Sequence, residues 1–133
     1  AIKMAQKNAI LNKIENVEFV SMDFFKEQPK GTFDLFVSNP PYIPKNEVKG
    51  TMSEVHQYEP EIALTDQEDG LKFYHRIAES IPDLVNLNGW VVMEVGLGEY
   101  PNKALEIFKS AGFNKCELVQ DFNGDDRVLK IQI

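Results

Sequence analysis

The chain has 133 residues, with 14 Lys and Arg against 21 Asp and Glu, one Cys and two His; at roughly 100–200 residues per domain it is one domain's worth of sequence, able to bury a real core. A net charge of −7 and a sequence pI near 4.8 argue against duplex DNA or RNA as the main partner, because binding by phosphate neutralisation needs a clustered basic face. Cys116 alone closes no internal disulfide, and His56 and His75 share no metal-ligand spacing with it.

Ala1 opens directly into a helical pattern, with Ile2, Ala5 and Ala9 at i, i+3 and i+7. Neither a capping residue nor an initiator Met precedes it, so the chain is expected to begin inside a larger domain. After a polar connection over Asn12 to Asn16, Val17 to Met22 alternates as a strand would, with Asp23 at its C-terminal end. Gln28-Pro29-Lys30-Gly31 is turn chemistry, and Phe33 to Ser38 is a second strand, apolar enough for burial on both faces. Pro40 and Pro41 remove two ladder donors and must end it.

Ile43 to Asp69, rich in Pro, Glu and Asn, is longer than an ordinary loop and reads as a lid or binding segment. Leu71, Tyr74, Ile77, Ala78, Ile81 and Val85 then mark a helix over Gly70 to Asn86, with Pro82 expected to kink or divide it. Gly89 supplies a stop, and Trp90 to Val95 is a strand. Pro101 suits the first turn of a helix carrying Ala104, Leu105, Phe108 and Ala111 and ending at Gly112. Lys115 to Gln120 and Arg127 to Ile133 are strand-like, joined through Asn123-Gly124, a hairpin signal. The order predicts an α/β domain whose sheet is mainly parallel with an antiparallel C-terminal hairpin.

The most informative feature is Asn39-Pro40-Pro41-Tyr42 at the end of the buried strand. With each residue type near 5% of average usage, its chance occurrence in a chain of this length is on the order of one in a thousand. Ligands of open α/β sheets bind outside the carboxyl ends of the strands, which is where this tetrapeptide falls. The Asn39 side-chain oxygen and the Pro40 carbonyl are two acceptors held close together by proline, suited to a planar NH2 group. An amide nitrogen is a poor nucleophile because its lone pair is delocalised. Acceptors that hold both N–H bonds out of plane free that lone pair and stabilise the charge it gains on attack. Tyr42 is placed to stack on the flat group.

Asn39 to Tyr42 resembles motif IV of the amino-group methyltransferases that use S-adenosylmethionine. Ile43-Pro44, Tyr58-Glu59-Pro60 with Ala63-Leu64, Glu68-Asp69-Gly70-Leu71 with Tyr74, Met93-Glu94-Val95-Gly96 and Asp126-Arg127-Val128 narrow the resemblance to the HemK family. That family methylates the side-chain amide of a glutamine in peptide chain release factors. The resemblance implies a partial class I methyltransferase (Rossmann-like) sheet. It implies that Asn39, Pro40, Pro41 and Tyr42 bind the glutamine, with Asn39 and Pro40 catalytic, and that Asp23, Phe24 and Asn39 meet the cofactor.

In that family the Gly-rich turn and the acid that holds the ribose lie upstream of a helix like the one that starts here. The expectation is therefore that residues 1–133 form the C-terminal part of the catalytic domain and bind S-adenosylmethionine weakly or not at all, leaving this chain alone inactive. A sheet edge bare of its first strands would be open to oligomerisation. The expected partner is a release factor in the cytoplasm, with no direct nucleic acid, no membrane and no metal.

Three rival substrates or roles remain: a ribosomal-protein glutamine, an adenine amino group in nucleic acid, and a non-catalytic fragment that binds protein. The adenine reading is opposed by the acidic balance, Lys45 and Lys49 being the only bases of the insert. Gly96-Leu97-Gly98 lacks the third glycine of a dinucleotide fingerprint, with Pro101 in its place. Asp121, Asn123 and Asp125 have the one-three-five spacing of a calcium loop, but the glycine falls two places early, at Gly124, and the twelfth position is Gln132. Glu94, Glu99 and Glu106 read as supporting or surface acids rather than a catalytic carboxylate pair.

Overall fold

The computed structural model describes residues 1–50 and 59–133. Helix α1 (Ile2–Leu11) is followed by strand β1 (Phe33–Ser38), a 3-10 turn at Val48–Gly50 and the single-turn helix α2 (Glu61–Leu64). Helix α3 (Lys72–Leu84) runs into β2 (Val85–Glu94), and α4 (Tyr100–Ser110) precedes the hairpin of β3 (Cys116–Gln120) and β4 (Asp126–Gln132). The sheet order is β1-β2-β4-β3.

β1 and β2 are parallel, while β4 is antiparallel to both β2 and β3. The α/β class and the antiparallel C-terminal hairpin are as expected from the sequence. Among the described residues the parallel share is smaller, one pairing of three, because Val17–Met22 joins no ladder. Its alternation is a local property, and a strand needs a neighbour to pair with. The exposed Leu35 and Val37 of β1 leave that side of the sheet open.

Apolar residues two apart on β2 and β4 point to one face and meet two helices. Val91, Met93, Leu129 and Ile131 pack against Tyr74, Ile77 and Ile81 of α3 and Ala104 and Phe108 of α4. All of these are 2% exposed or less. Full burial of each large aliphatic or aromatic side chain contributes about 1.5–3 kcal/mol, so this layer fixes β2, the strand that β1 pairs with, and β4 against the helices.

Helix α3 is not divided at Pro82, because the proline falls in its last turn, where few backbone bonds remain to be lost. Strand β2 starts at Val85, five residues earlier than the sequence indicates, and Phe33 pairs with Val85 while Leu35 already pairs with Trp90. The irregularity between them takes up Asn88, with φ of 66°, and Gly89, where a Cβ would press on the backbone of Asn86 and Asp34. Gly89 thus lies inside a strand as a point of close backbone approach.

Candidate active site

The β1 ladder ends with Ser38 opposite Met93, so Asn39 to Tyr42 leave the sheet beside Glu94. Pro40 is buried, Pro41 and Tyr42 are half-buried, and Asn39 is exposed to solvent at the carboxyl edge of the sheet. Pro40 and Pro41 fix φ between and just after the Asn39 and Pro40 acceptors, and the tetrapeptide is anchored at its far end by Tyr42.

The Tyr42 phenol donates to Glu94 Oε1 at 2.7 Å and accepts from Arg127 Nη2 at 3.1 Å. Arg127 Nη2 also donates to Glu94 Oε1 at 2.6 Å, closing a three-membered ring of hydrogen bonds. The guanidinium lies over the Tyr42 ring, 5.6 Å from its centroid. Burial, and next the hydrogen bond to Glu94, push the Tyr42 phenol above its ordinary range, so it is a neutral donor at physiological pH.

Backbone bonds from the insert hold the other side. Ile43 N–H donates to the Leu64 carbonyl and Lys45 N–H to the Glu68 carbonyl, both at 3.0 Å. Buried Asp66 shapes the segment behind them, its carboxylate accepting from the backbone N–H groups of Glu68, Gly70 and Lys72 at 2.8, 3.1 and 3.0 Å. Gly70, with φ of +85°, presses its α-carbon against the Tyr42 carbonyl so closely that no side chain fits between them. On the ring side Gly96 lies close by, where a Cβ would be tight against Tyr100 Cβ at 3.1 Å and in van der Waals contact with Tyr42 Cδ2 at 3.4 Å.

Tyr42, Ile43, Pro44, Glu47, Tyr100 and Arg127 line a cavity of about 620 Å³. Asp23 and Phe24 border a different cavity, of about 840 Å³, between the 21–25 segment and the α2–α3 region. The Asp23 carboxylate accepts from Phe25 N–H at 3.1 Å and pairs with Lys26 at 2.8 Å; that hydrogen bond to Lys26 leads in lowering its pKa. Phe24 lies 6.3 Å from the Phe36 ring, and its carbonyl accepts from Arg76 Nε at 2.9 Å. Phe36 is on β1, so Phe24 is tied to the strand that delivers Asn39.

Arg127 is a site residue that the sequence reading left without a role, and Glu94, read there only as a supporting or surface acid, is its partner. Both stood in quoted segments, and their opposite charges at the ends of neighbouring strands were the available signal. The Asp121 carboxylate is taken up by its own turn, accepting from Asn123 and Asp125 N–H. Tyr58 and His56 lie outside the described residues.

Residues 1–57 match the model of the methyltransferase small domain, a stretch that contains Asp23, Phe24 and Asn39 to Tyr42. The chain is 42% identical over 130 residues to the release factor glutamine methyltransferase of Fusobacterium nucleatum, covering 97% of this chain and 36% of that protein. The release factor glutamine methyltransferase of Geobacter sulfurreducens is 40% identical over 129 residues, with 97% and 45% covered. This chain is a sequence relative of the release factor glutamine methyltransferases. It spans less than half the length of the two relatives just named. A crystal structure of a methyltransferase from Pyrococcus furiosus shares the fold, with a TM-score of 0.61 over 98% of this chain and 56% of that one. Its identity is 18%, so the likeness speaks to the fold alone. The resemblance read from the motifs is borne out.

Proposed function

We propose that this chain is the C-terminal part of the catalytic domain of an S-adenosylmethionine-dependent methyltransferase acting on the side-chain amide of a glutamine in a peptide chain release factor. The observation that carries the reading is the Asn39 to Tyr42 exit from β1, fastened by Glu94 and Arg127 at the carboxyl end of the sheet. The relatives named release factor glutamine methyltransferase support the substrate assignment.

The residues present fit the adenine end of the cofactor. Asp23 remains 44% exposed, leaving its carboxylate open to an amino group, and Phe24 offers an aromatic face beside a cavity of about 840 Å³. Bound there, S-adenosylmethionine supplies an electrophilic methyl group. Asn39 Oδ1 and the Pro40 carbonyl accept the two N–H bonds of the target amide, localise its lone pair and stabilise the positive charge it develops. Tyr42 stacks on the amide plane, and Pro41 keeps the turn rigid. The glutamine nitrogen needs no base before attack, since its lone pair, not an anion, is the nucleophile; as the N–CH3 bond forms the S–CH3 bond would break, the neutral thioether would leave, and the methylated nitrogen would give up one N–H proton to solvent.

Residues that hold the methionine end of the cofactor lie outside this chain, which alone transfers no methyl group. The insert over Ile43 to Asp69 reads the protein substrate, and the open β1 edge is where a second copy would pair. The reaction takes place in the cytoplasm, without nucleic acid or membrane; among the described residues no helix is long and apolar enough to cross a membrane.

The test is transfer of labelled methyl by the intact protein to release factor, ribosomal protein and adenine-containing DNA offered in parallel. Label on release factor alone is the expected result. Label on DNA or on ribosomal protein would replace the substrate assignment, and release factor binding without transfer would favour a non-catalytic role.

A further inference from the structure

We propose that Glu94 and Arg127 are positioning residues for Tyr42, holding its ring in one orientation against the target group, and that the pair acts on the reaction only through the Tyr42 hydroxyl. The inference rests on the methyltransferase reading and deepens it. Neither residue belongs to the tetrapeptide, yet each reaches the Tyr42 oxygen from a different strand. Glu94 ends β2, Arg127 lies near the start of β4, and Val95 N–H donates to the Arg127 carbonyl at 2.9 Å, so the two are carried on one rigid ladder.

A phenol bonded once can still rotate about that bond. Tyr42 both donates to Glu94 and accepts from Arg127, which fixes the oxygen in two directions. The side chains of Glu94 and Arg127 are 32% and 23% exposed, sheltered enough for the charges to hold one geometry, and Arg127 lines the cavity together with Tyr42. Gly96 keeps the ring's flank free of a side chain, and the Tyr74 hydroxyl, donating to the Glu94 carbonyl at 3.0 Å, fixes the backbone that carries the carboxylate.

The experiment is a double-mutant cycle of Tyr42→Phe against Glu94→Ala, and of Tyr42→Phe against Arg127→Ala, in the intact protein with release factor as acceptor. Each single change is expected to lower kcat by about 10- to 100-fold, as a misplacement near 1 Å does, with the KM for S-adenosylmethionine unchanged. Each double variant is expected to lose no more than the worse of its two singles. Glu94→Gln, which keeps an acceptor, is expected to recover most of the rate. Additive losses would overturn the proposal.

A second reading needs no reaction. With 3-fluorotyrosine at position 42, the 19F signal of the unliganded protein is expected to be single and to shift or split in Glu94→Ala and Arg127→Ala. An unchanged signal in both would overturn the proposal. If the unsubstituted protein methylates none of the offered acceptors, the methyltransferase reading falls, and this signal alone decides whether the pair orients Tyr42.

Discussion

Tyr42 donates its phenolic hydrogen to Glu94 Oε1 at 2.7 Å, joining residues 52 positions apart. This bond fastens the tetrapeptide to the sheet from the outside, while Pro40 and Pro41 stiffen it from within. The Asn39 acceptors therefore sit on a segment fixed at both ends, the requirement for holding a planar NH2 group in one geometry.

The tyrosines give this arrangement a pH signature. Burial first, then Glu94 for Tyr42, Tyr42 itself for Tyr74 and Glu47 for Tyr100, raise all three phenols above the ordinary value of 10.0. A raised folded-state pKa contributes stability that is fully present below the unfolded value and is lost as pH rises through the folded one. The urea midpoint is expected to be unaffected by these groups up to about pH 10 and to fall above it, with tyrosinate absorbance lagging behind free tyrosine. Absorbance that titrates as free tyrosine would contradict the account.

Asp66 is expected to matter far more than its neighbour Asp69. Replacing Asp66 by Ala strands three backbone N–H groups in a buried turn and is expected to cost about 2–4 kcal/mol. Asp69 is exposed and accepts one backbone bond, from Leu71, so Asp69→Ala is expected to cost about 1 kcal/mol or less. Equilibrium urea unfolding of the two variants measures the difference.

Much of this was legible in local sequence, and the exceptions share a cause. The limits of β1 at Phe33 and Ser38, the turn at Asn123-Gly124 and the Pro101 start of α4 are set by residues whose chemistry acts on their own backbone. Val17–Met22 has a strand's alternation and no ladder, because pairing depends on what lies beside it. The early start of β2 at Val85 depends on contact with Phe33 and Asp34, far away in sequence. At the site, Asn39 to Tyr42 could be read from composition and placement. The Glu94–Arg127 clamp could not, since it exists only once β2 and β4 are neighbours.

Two glycines with positive φ separate backbone strain from close packing. Gly98, with φ of +68°, has open space around it, so Gly98→Ala is expected to cost only the left-handed conformation, about 1–2 kcal/mol. Gly70→Ala adds a collision with the Tyr42 carbonyl and is expected to cost upwards of about 3 kcal/mol, with loss of the site's shape. Thermal unfolding of both variants, with methyl transfer measured on whatever stays folded, checks the order.

Asn39 is exposed and its side chain is free to meet a ligand, so its replacement tests chemistry with little effect on folding. Asn39→Ala is expected to lower kcat by about 10²- to 10³-fold, the usual effect of removing one preorganised partner of a developing charge. The melting temperature is expected to stay close to that of the unsubstituted protein. Initial rates with saturating cofactor give the comparison.

The proposed target nitrogen belongs to a glutamine side chain. Tandem mass spectrometry of release factor incubated with the intact protein and S-adenosylmethionine tests it most directly. One added methyl group on the amide nitrogen of a single glutamine, lost with Asn39→Ala, is the expected result. A methyl group on any other residue, or none on release factor while DNA is methylated, would contradict it.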